Sequence, residues 1–122
     1  MSMTPEGRVK KAITDLLKAH GAYYHMPVQN GYGKTCLDYH VGHRGFYAAI
    51  EAKKPGGEPT KRQIEIMEEL MEKKCSVFLI DDTNTSDFAL FRAWLETPVV
   101  QIYSPLAYFF IIKSRKAKAA QT

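Results

Sequence analysis

The chain has 122 residues, 45% of them hydrophobic and 25% charged, which suffices for one compact core and excludes two independent ones. Two widely separated cysteines, Cys36 and Cys75, and the lack of a secretory signal or long apolar span argue against a disulfide-stapled or membrane-spanning protein. A soluble, reducing, cytoplasmic setting is expected. The net charge is +4, and no acid follows Glu96, whereas Lys113, Arg115, Lys116 and Lys118 crowd the end. Further basic clusters lie at Arg8, Lys10 and Lys11 and at Lys53, Lys54, Lys61 and Arg62, a pattern that suits a polyphosphate partner as well as a plain solvated surface.

In chain order, Thr4-Pro5-Glu6 opens a helix, with a capping hydroxyl, proline at the first turn and an acid where the helix dipole favours one. Val9, Ile13, Leu16, Leu17 and His20 recur at helical spacing, and Gly21 can close the helix, so the spacing predicts a helix over 5–20. Segments near 22–29, 35–41 and 46–53, rich in Tyr, Val, Phe and Ile, are parted by Asn30-Gly31-Tyr32-Gly33 and Gly42-His43-Arg44-Gly45, a three-strand meander.

Pro55 to Pro59 breaks the chain, and Thr60 caps a second helix with Ile64, Met67, Leu70 and Met71 on one stripe up to Lys74. Ser76 to Ile80 is a short buried strand, and Phe88, Phe91, Trp94 and Leu95 mark a third helix that Thr97-Pro98 ends. Residues 99–112 fit either a hairpin or a strand followed by a short helix. The basic residues 113–122 read as a flexible tail beyond a single domain at 1–112. The order helix, three strands, helix, strand makes an α/β fold with a mixed central sheet flanked by helices.

The chemistry concentrates in Asp38 and, thirteen residues later, Glu51-Ala52-Lys53. Side chains alternate along a strand, so Glu51 and Lys53 share one face while Ile50 and Ala52 point into the core. A carboxylate pair beside an ammonium is what a divalent ion and an attacked phosphate require. Mg²⁺, with Mn²⁺ as substitute, held by Asp38, Glu51 and the Ala52 carbonyl, would polarise a phosphodiester and acidify water, while Lys53 orients that water. Glu6 could complete the ligand set or merely complement the helix dipole. Gln63 could bond the water, Lys53 or a phosphate oxygen, or merely form a Thr60-x-x-Gln63 capping box. A surface ion pair is the plain alternative for Glu51 and Lys53, against which stand their apolar neighbours and the second acid.

Cys36, His40 and His43 raise zinc, yet no fourth partner lies nearby in sequence. The Asn30 to Lys34 loop lies between strands, unlike the phosphate cradles that open a helix. Tyr32 and Lys34 could approach a nucleic-acid backbone or simply belong to a hairpin turn. Arg8, Lys11, Lys54, Lys61 and Arg62 are the other candidate nucleic-acid contacts, or ordinary exposed residues.

These residues resemble the PD-(D/E)XK nuclease superfamily, and within it the small stand-alone VRR-NUC domains found in some phages. The resemblance covers residues 4–80: Glu6 matches the family's opening acid, Asp38 its metal-binding aspartate, Glu51-Ala52-Lys53 its E-x-K signature, and Gly56-Gly57 through Gln63 its glycine-rich turn and helix-borne glutamine. Leu37 departs from the proline often found before the aspartate. The resemblance implies a restriction-endonuclease-like αβββαβ core and a metal-dependent DNA endonuclease, catalytic through Asp38, Glu51, Lys53 and Gln63, with Glu6, Asp38, Glu51 and Ala52 around the ion. It also implies selectivity for branched DNA, a homodimer, and action in a host-cell cytoplasm if the chain is phage-encoded. The apolar stretch at 99–112 could provide the dimer surface. The competing expectation is a noncatalytic nucleic-acid-binding module that keeps a nuclease-like fold.

Overall fold

A computed structural model describes residues 3–28, 36–97 and 101–121. Helix α1 (Pro5–Ala19) begins as its sequence dictates: the Thr4 hydroxyl accepts the Gly7 N–H at 3.0 Å and Pro5 occupies the first turn. It buries Val9, Ile13 and Leu17, and Gly21 follows at φ +66°, the left-handed geometry that glycine adopts without strain.

Strands β1 (Tyr23–His25), β2 (Tyr39–His43) and β3 (Phe46–Ala52) form an antiparallel meander, and β4 (Ser76–Ile80) lies parallel to β3, giving the order β1-β2-β3-β4. The β2–β3 turn is tighter than the glycine-bounded tetrapeptide of the sequence reading. Only Arg44 and Gly45 form it, both at positive φ, while Gly42 and His43 belong to β2. The pull on His43 is tertiary: it is buried, packs near Trp94, and its Nε2 donates to the Leu95 carbonyl at 2.8 Å. Asp38 consequently sits just ahead of β2 rather than within it.

Helix α2 (Lys61–Glu72) carries the chain from β3 to β4, and Lys74 in the left-handed region closes it through Lys74 N–H to the Met71 carbonyl and Cys75 N–H to the Leu70 carbonyl. Helix α3 is Ser86–Glu96 and α4 is Pro105–Ala120. Between them, Ile102 and Ser104 bond the Val77 backbone from the free edge of β4, so the open question at 99–112 resolves to an extended piece followed by a helix. That helix is long. Ser104 and Pro105 start it, and it runs through the residues expected as a flexible tail, where Arg115 meets Glu68 at 3.2 Å and Lys113 meets Glu58 at 3.9 Å on the α2 side. Residues 98–100 lie outside the described residues.

The sheet is covered on both faces. Val9, Ile13 and Leu17 of α1 pack with Ile50, Ala52, Phe78, Phe91 and Trp94 on one side. On the other, Ile66 and Met67 of α2 and Ala107, Phe110 and Ile111 of α4 cover Ala49, Val77 and Leu79. Residues 48–52 of β3 are therefore all buried, and the strand face that carries Glu51 is roofed by a helix as the opposite face is. No helix is long and apolar enough to cross a membrane among the described residues.

Candidate active site

The antiparallel register that pairs Tyr39 with Ile50 brings Asp38 to the end of β3 beside Glu51 and Ala52. The two acids clasp the strands reciprocally. The Asp38 N–H donates to Glu51 Oε1 at 3.2 Å, and the Ala52 N–H donates to Asp38 Oδ2 at 3.0 Å. Glu51 thus takes a backbone donor from Asp38, just ahead of β2, and Asp38 takes one from β3, which fixes both carboxylates.

Glu51 lies on the α2 side of the sheet at 2% exposure. Its second oxygen accepts the Gln63 side-chain N–H at 2.9 Å and faces the Lys53 ammonium at 3.4 Å. Lys53 shares that face by strand alternation, as expected, and its backbone N–H continues the parallel ladder to the Ile80 carbonyl at 3.0 Å. Gln63 reaches Glu51 because Thr60 fixes the first turn of α2: the Thr60 hydroxyl accepts the Gln63 N–H at 3.1 Å, and Gln63 Oε1 accepts the Thr60 N–H at 2.9 Å. Asp38, Glu51, Ala52, Lys53 and Gln63 are thus brought together.

Burial first, and then the charge of Asp38, pushes the Glu51 carboxyl up to about 7, while the Lys53 ammonium and the Asp38 N–H pull the other way. A buried carboxyl half-neutral near pH 7 beside a second acid is a site short of positive charge. Two hard-oxygen side chains in that condition fit a divalent cation, which would relieve their mutual repulsion. Among the described residues, no three His, Cys, Asp or Glu side chains gather into one metal-binding cluster.

Glu6 joins this site by way of a residue the sequence reading did not assign to it. Lys10 Nζ lies 3.6 Å from Glu6 Oε2 and 3.8 Å from Asp38 Oδ1, so an ammonium stands between the third acid and the pair. The signal was present: Glu6 and Lys10 are four apart and share a face of α1. The sequence places Lys10 only in a basic cluster, because its approach to Asp38 depends on how α1 seats on the sheet.

The proposed nucleic-acid contacts divide. Arg8 is exposed and lines a cleft of about 270 Å³ with Pro5, Val9, Pro55, Asp82 and Thr83, between the start of α1 and the loops that follow β3 and β4. Lys54 is exposed just past Lys53, and Lys61 is exposed at the start of α2. Arg62 faces Glu65 at 4.0 Å, and Lys11 pairs with Asp15 at 2.7 Å within α1. Tyr32 and Lys34 lie outside the described residues.

The residues that suggested zinc have other partners. His40 Nδ1 bonds the Tyr47 hydroxyl at 2.5 Å, and burial, with His25 nearby, holds its ring below the usual histidine range. Burial and the charges of Asp38 and Glu51 push the Cys36 thiol up, away from the thiolate a metal would bind.

A solved structure described as a VRR_NUC domain superposes on this chain with a TM-score of 0.61 at 22% sequence identity, over 80% of this chain and 100% of that one. The fold is that of a VRR_NUC domain. No family model matches the sequence. No curated protein matches it either. The expected resemblance is therefore met at the level of architecture. Within the VRR_NUC fold, Asp38, Glu51 and Lys53 converge at the C-terminal end of β3, where it lies against β4 and beneath the first turn of α2.

Proposed function

We propose that this protein is a metal-dependent endonuclease that hydrolyses phosphodiester bonds in DNA. The observation that carries this reading is the Asp38–Glu51 clasp with Lys53 against Glu51, set in a fold shared with a VRR_NUC domain. A divalent cation held by Asp38, Glu51 and the Ala52 carbonyl, Mg²⁺ or in its place Mn²⁺, would supply Lewis acidity toward a phosphate oxygen and lower the pKa of water.

The chain's own groups do the rest. Lys53, held by Glu51, presents an ammonium where negative charge develops on the phosphate and where the attacking water must be oriented. Gln63 keeps Glu51 from turning away, because its amide is fixed by the cap of α2. Glu6 belongs to the outer ring of the site and acts through Lys10. Arg8, Lys54 and Lys61 border the site with positive charge suited to the phosphates flanking the cut, which would make binding fall with salt.

The finer proposal is selectivity for branched DNA by a homodimer. It is supported by an apolar groove of about 530 Å³ on α4, lined by Pro105, Tyr108, Phe109 and Ile112 and edged by Lys113 and Lys116.

A cleavage panel of single-stranded, duplex, flap and four-way DNA with Mg²⁺ tests the reading, with Lys53→Ala as the control. Cutting that is strongest on the four-way substrate and absent in Lys53→Ala is expected. Binding that ignores both EDTA and Asp38→Asn, with no cutting, would instead mark a noncatalytic binding module.

A further inference from the structure

Asp38 uses one carboxylate oxygen, Oδ2, to hold the Ala52 N–H, which leaves Oδ1 as the oxygen turned outward. The cation facing that oxygen is Lys10, at 3.8 Å. Its placement is built into the fold. The buried Tyr39 hydroxyl donates to the Lys10 carbonyl at 3.0 Å and meets the Thr14 hydroxyl at 2.9 Å, so the residue next to Asp38 pins the helix turn that carries Lys10. Glu6, one turn earlier, holds the ammonium from the other side at 3.6 Å. The Lys10 side chain is 35% exposed, so it is free to turn once a better counter-charge arrives at Asp38.

We propose that Lys10 is a positioning residue that works by exchange. It neutralises Asp38 in the ion-free protein, yields Oδ1 when a divalent ion binds, and then turns its ammonium to a phosphate of the DNA. The inference rests on the endonuclease reading above and adds to it a residue that couples ion binding to substrate binding. A tethered ammonium beside a ligand oxygen competes with an incoming ion and lowers the local negative potential. Removing it therefore tightens ion binding while it weakens the hold on substrate. Because the pair is partly exposed, the effect on ion affinity is modest, roughly two- to fivefold.

The test uses the full chain as wild type, Lys10→Met, Lys10→Arg and Lys18→Met. Mn²⁺ binding without DNA is read from the spectroscopic signal of the free ion. KM and kcat for nicking are measured at saturating Mn²⁺. Lys10→Met is expected to bind Mn²⁺ several-fold more tightly and to raise KM for DNA several-fold, with kcat little changed. Lys10→Arg is expected to restore both, and Lys18→Met, exposed in the last turn of α1 and away from Asp38, to change neither. Mn²⁺ affinity that is unchanged or weaker in Lys10→Met overturns the exchange, as does tighter Mn²⁺ binding with an unaltered KM. Those outcomes leave the endonuclease reading standing if wild type still cuts and Lys53→Ala does not. Wild type that binds no Mn²⁺ overturns both.

Discussion

The Gln63 side chain donates to Glu51 at 2.9 Å while its own oxygen accepts the Thr60 N–H, so one amide closes a helix cap and steadies a buried acid. From the sequence, a cap and a bond to water, Lys53 or a phosphate oxygen stand as alternatives; the structure shows the cap, together with a partner outside that set, Glu51. Gln63→Ala loses both contacts and should cost about 1 kcal/mol in a urea melt, as for other lost caps. Gln63→Glu preserves the cap, since glutamate serves equally at that position, but sets a third carboxylate against Glu51. Its stability should stay nearer wild type at pH 5 than at pH 8, and its nicking activity should fall. Equal activity in Gln63→Glu and wild type would confine Gln63 to the cap.

Glu51 sets a pH dependence of stability opposite to that of a salt-bridged surface acid. Its carboxyl rises from 4.5 in the unfolded chain to about 7 in the folded one. The folded state therefore holds the extra proton between those values, and stability present below pH 4.5 is lost as pH rises through 7. The full shift corresponds to an upper limit of about 3 kcal/mol at 1.36 kcal/mol per unit. Urea melts in EDTA should show stability declining from pH 5 to pH 8. Glu51→Gln should flatten that slope, and Mn²⁺ should lift the pH 8 value of wild type. A wild-type slope that rises with pH would contradict the burial of a charged Glu51.

Asp38→Asn separates charge from architecture. The amide oxygen can still accept the Ala52 N–H, so the strand clasp and the melting behaviour should persist. Mn²⁺ affinity should fall by roughly a hundredfold or more, since even outer partners of metal-binding groups cost tenfold to a hundredfold. The Glu51 carboxyl should titrate lower, because the second of the two causes that raise it has gone. Carbon-13 labelled glutamate, followed through a pH titration, reads that change directly.

Much of this arrangement was legible in the sequence because it is local. Thr4-Pro5, Thr60 with Gln63, and the Glu51-Ala52-Lys53 alternation each declare a cap or a face within a few residues. What escaped depends on contacts across the chain. β2 extends over Gly42 and His43 because the Leu95 carbonyl, 52 positions away, receives the buried histidine. Residues 113–120 continue the helix that Ser104 caps beside β4, and Glu58 ahead of α2 and Glu68 within it supply partners for Lys113 and Arg115. Lys10 escaped for the same reason. Its i, i+4 partner was visible, but its approach to Asp38 is set by Tyr39 seating α1 on the sheet.

That seat is itself open to test. Tyr39→Phe removes the hydroxyl that joins the Lys10 carbonyl to the Thr14 side chain and leaves the buried ring in place. The loss should be about 1 kcal/mol, the usual net value of such a bond. Amide exchange should quicken selectively in α1, and not in α2 or α4, if the hydroxyl holds that helix to the sheet.

Helix α4 turns two aromatic side chains outward, with Tyr108 49% and Phe109 56% exposed, while Phe110 and Ile111 on its other side enter the core. Charge introduced on the outer face should therefore separate assembly from folding. Phe109→Asp should leave the urea midpoint within about 0.5 kcal/mol of wild type, as for surface changes away from caps and cores. Ile111→Ala, in the core, should cost 2–5 kcal/mol, the range for large-to-small core changes. If the α4 groove joins two copies, sedimentation should show a wild-type dimer and a Phe109→Asp monomer. Four-way junctions should then be nicked on one strand at a time by the monomer instead of being cut as a pair. A wild-type chain that sediments as a monomer at tens of micromolar would remove the dimer from the proposal and leave the chemistry at Asp38 and Glu51 untouched.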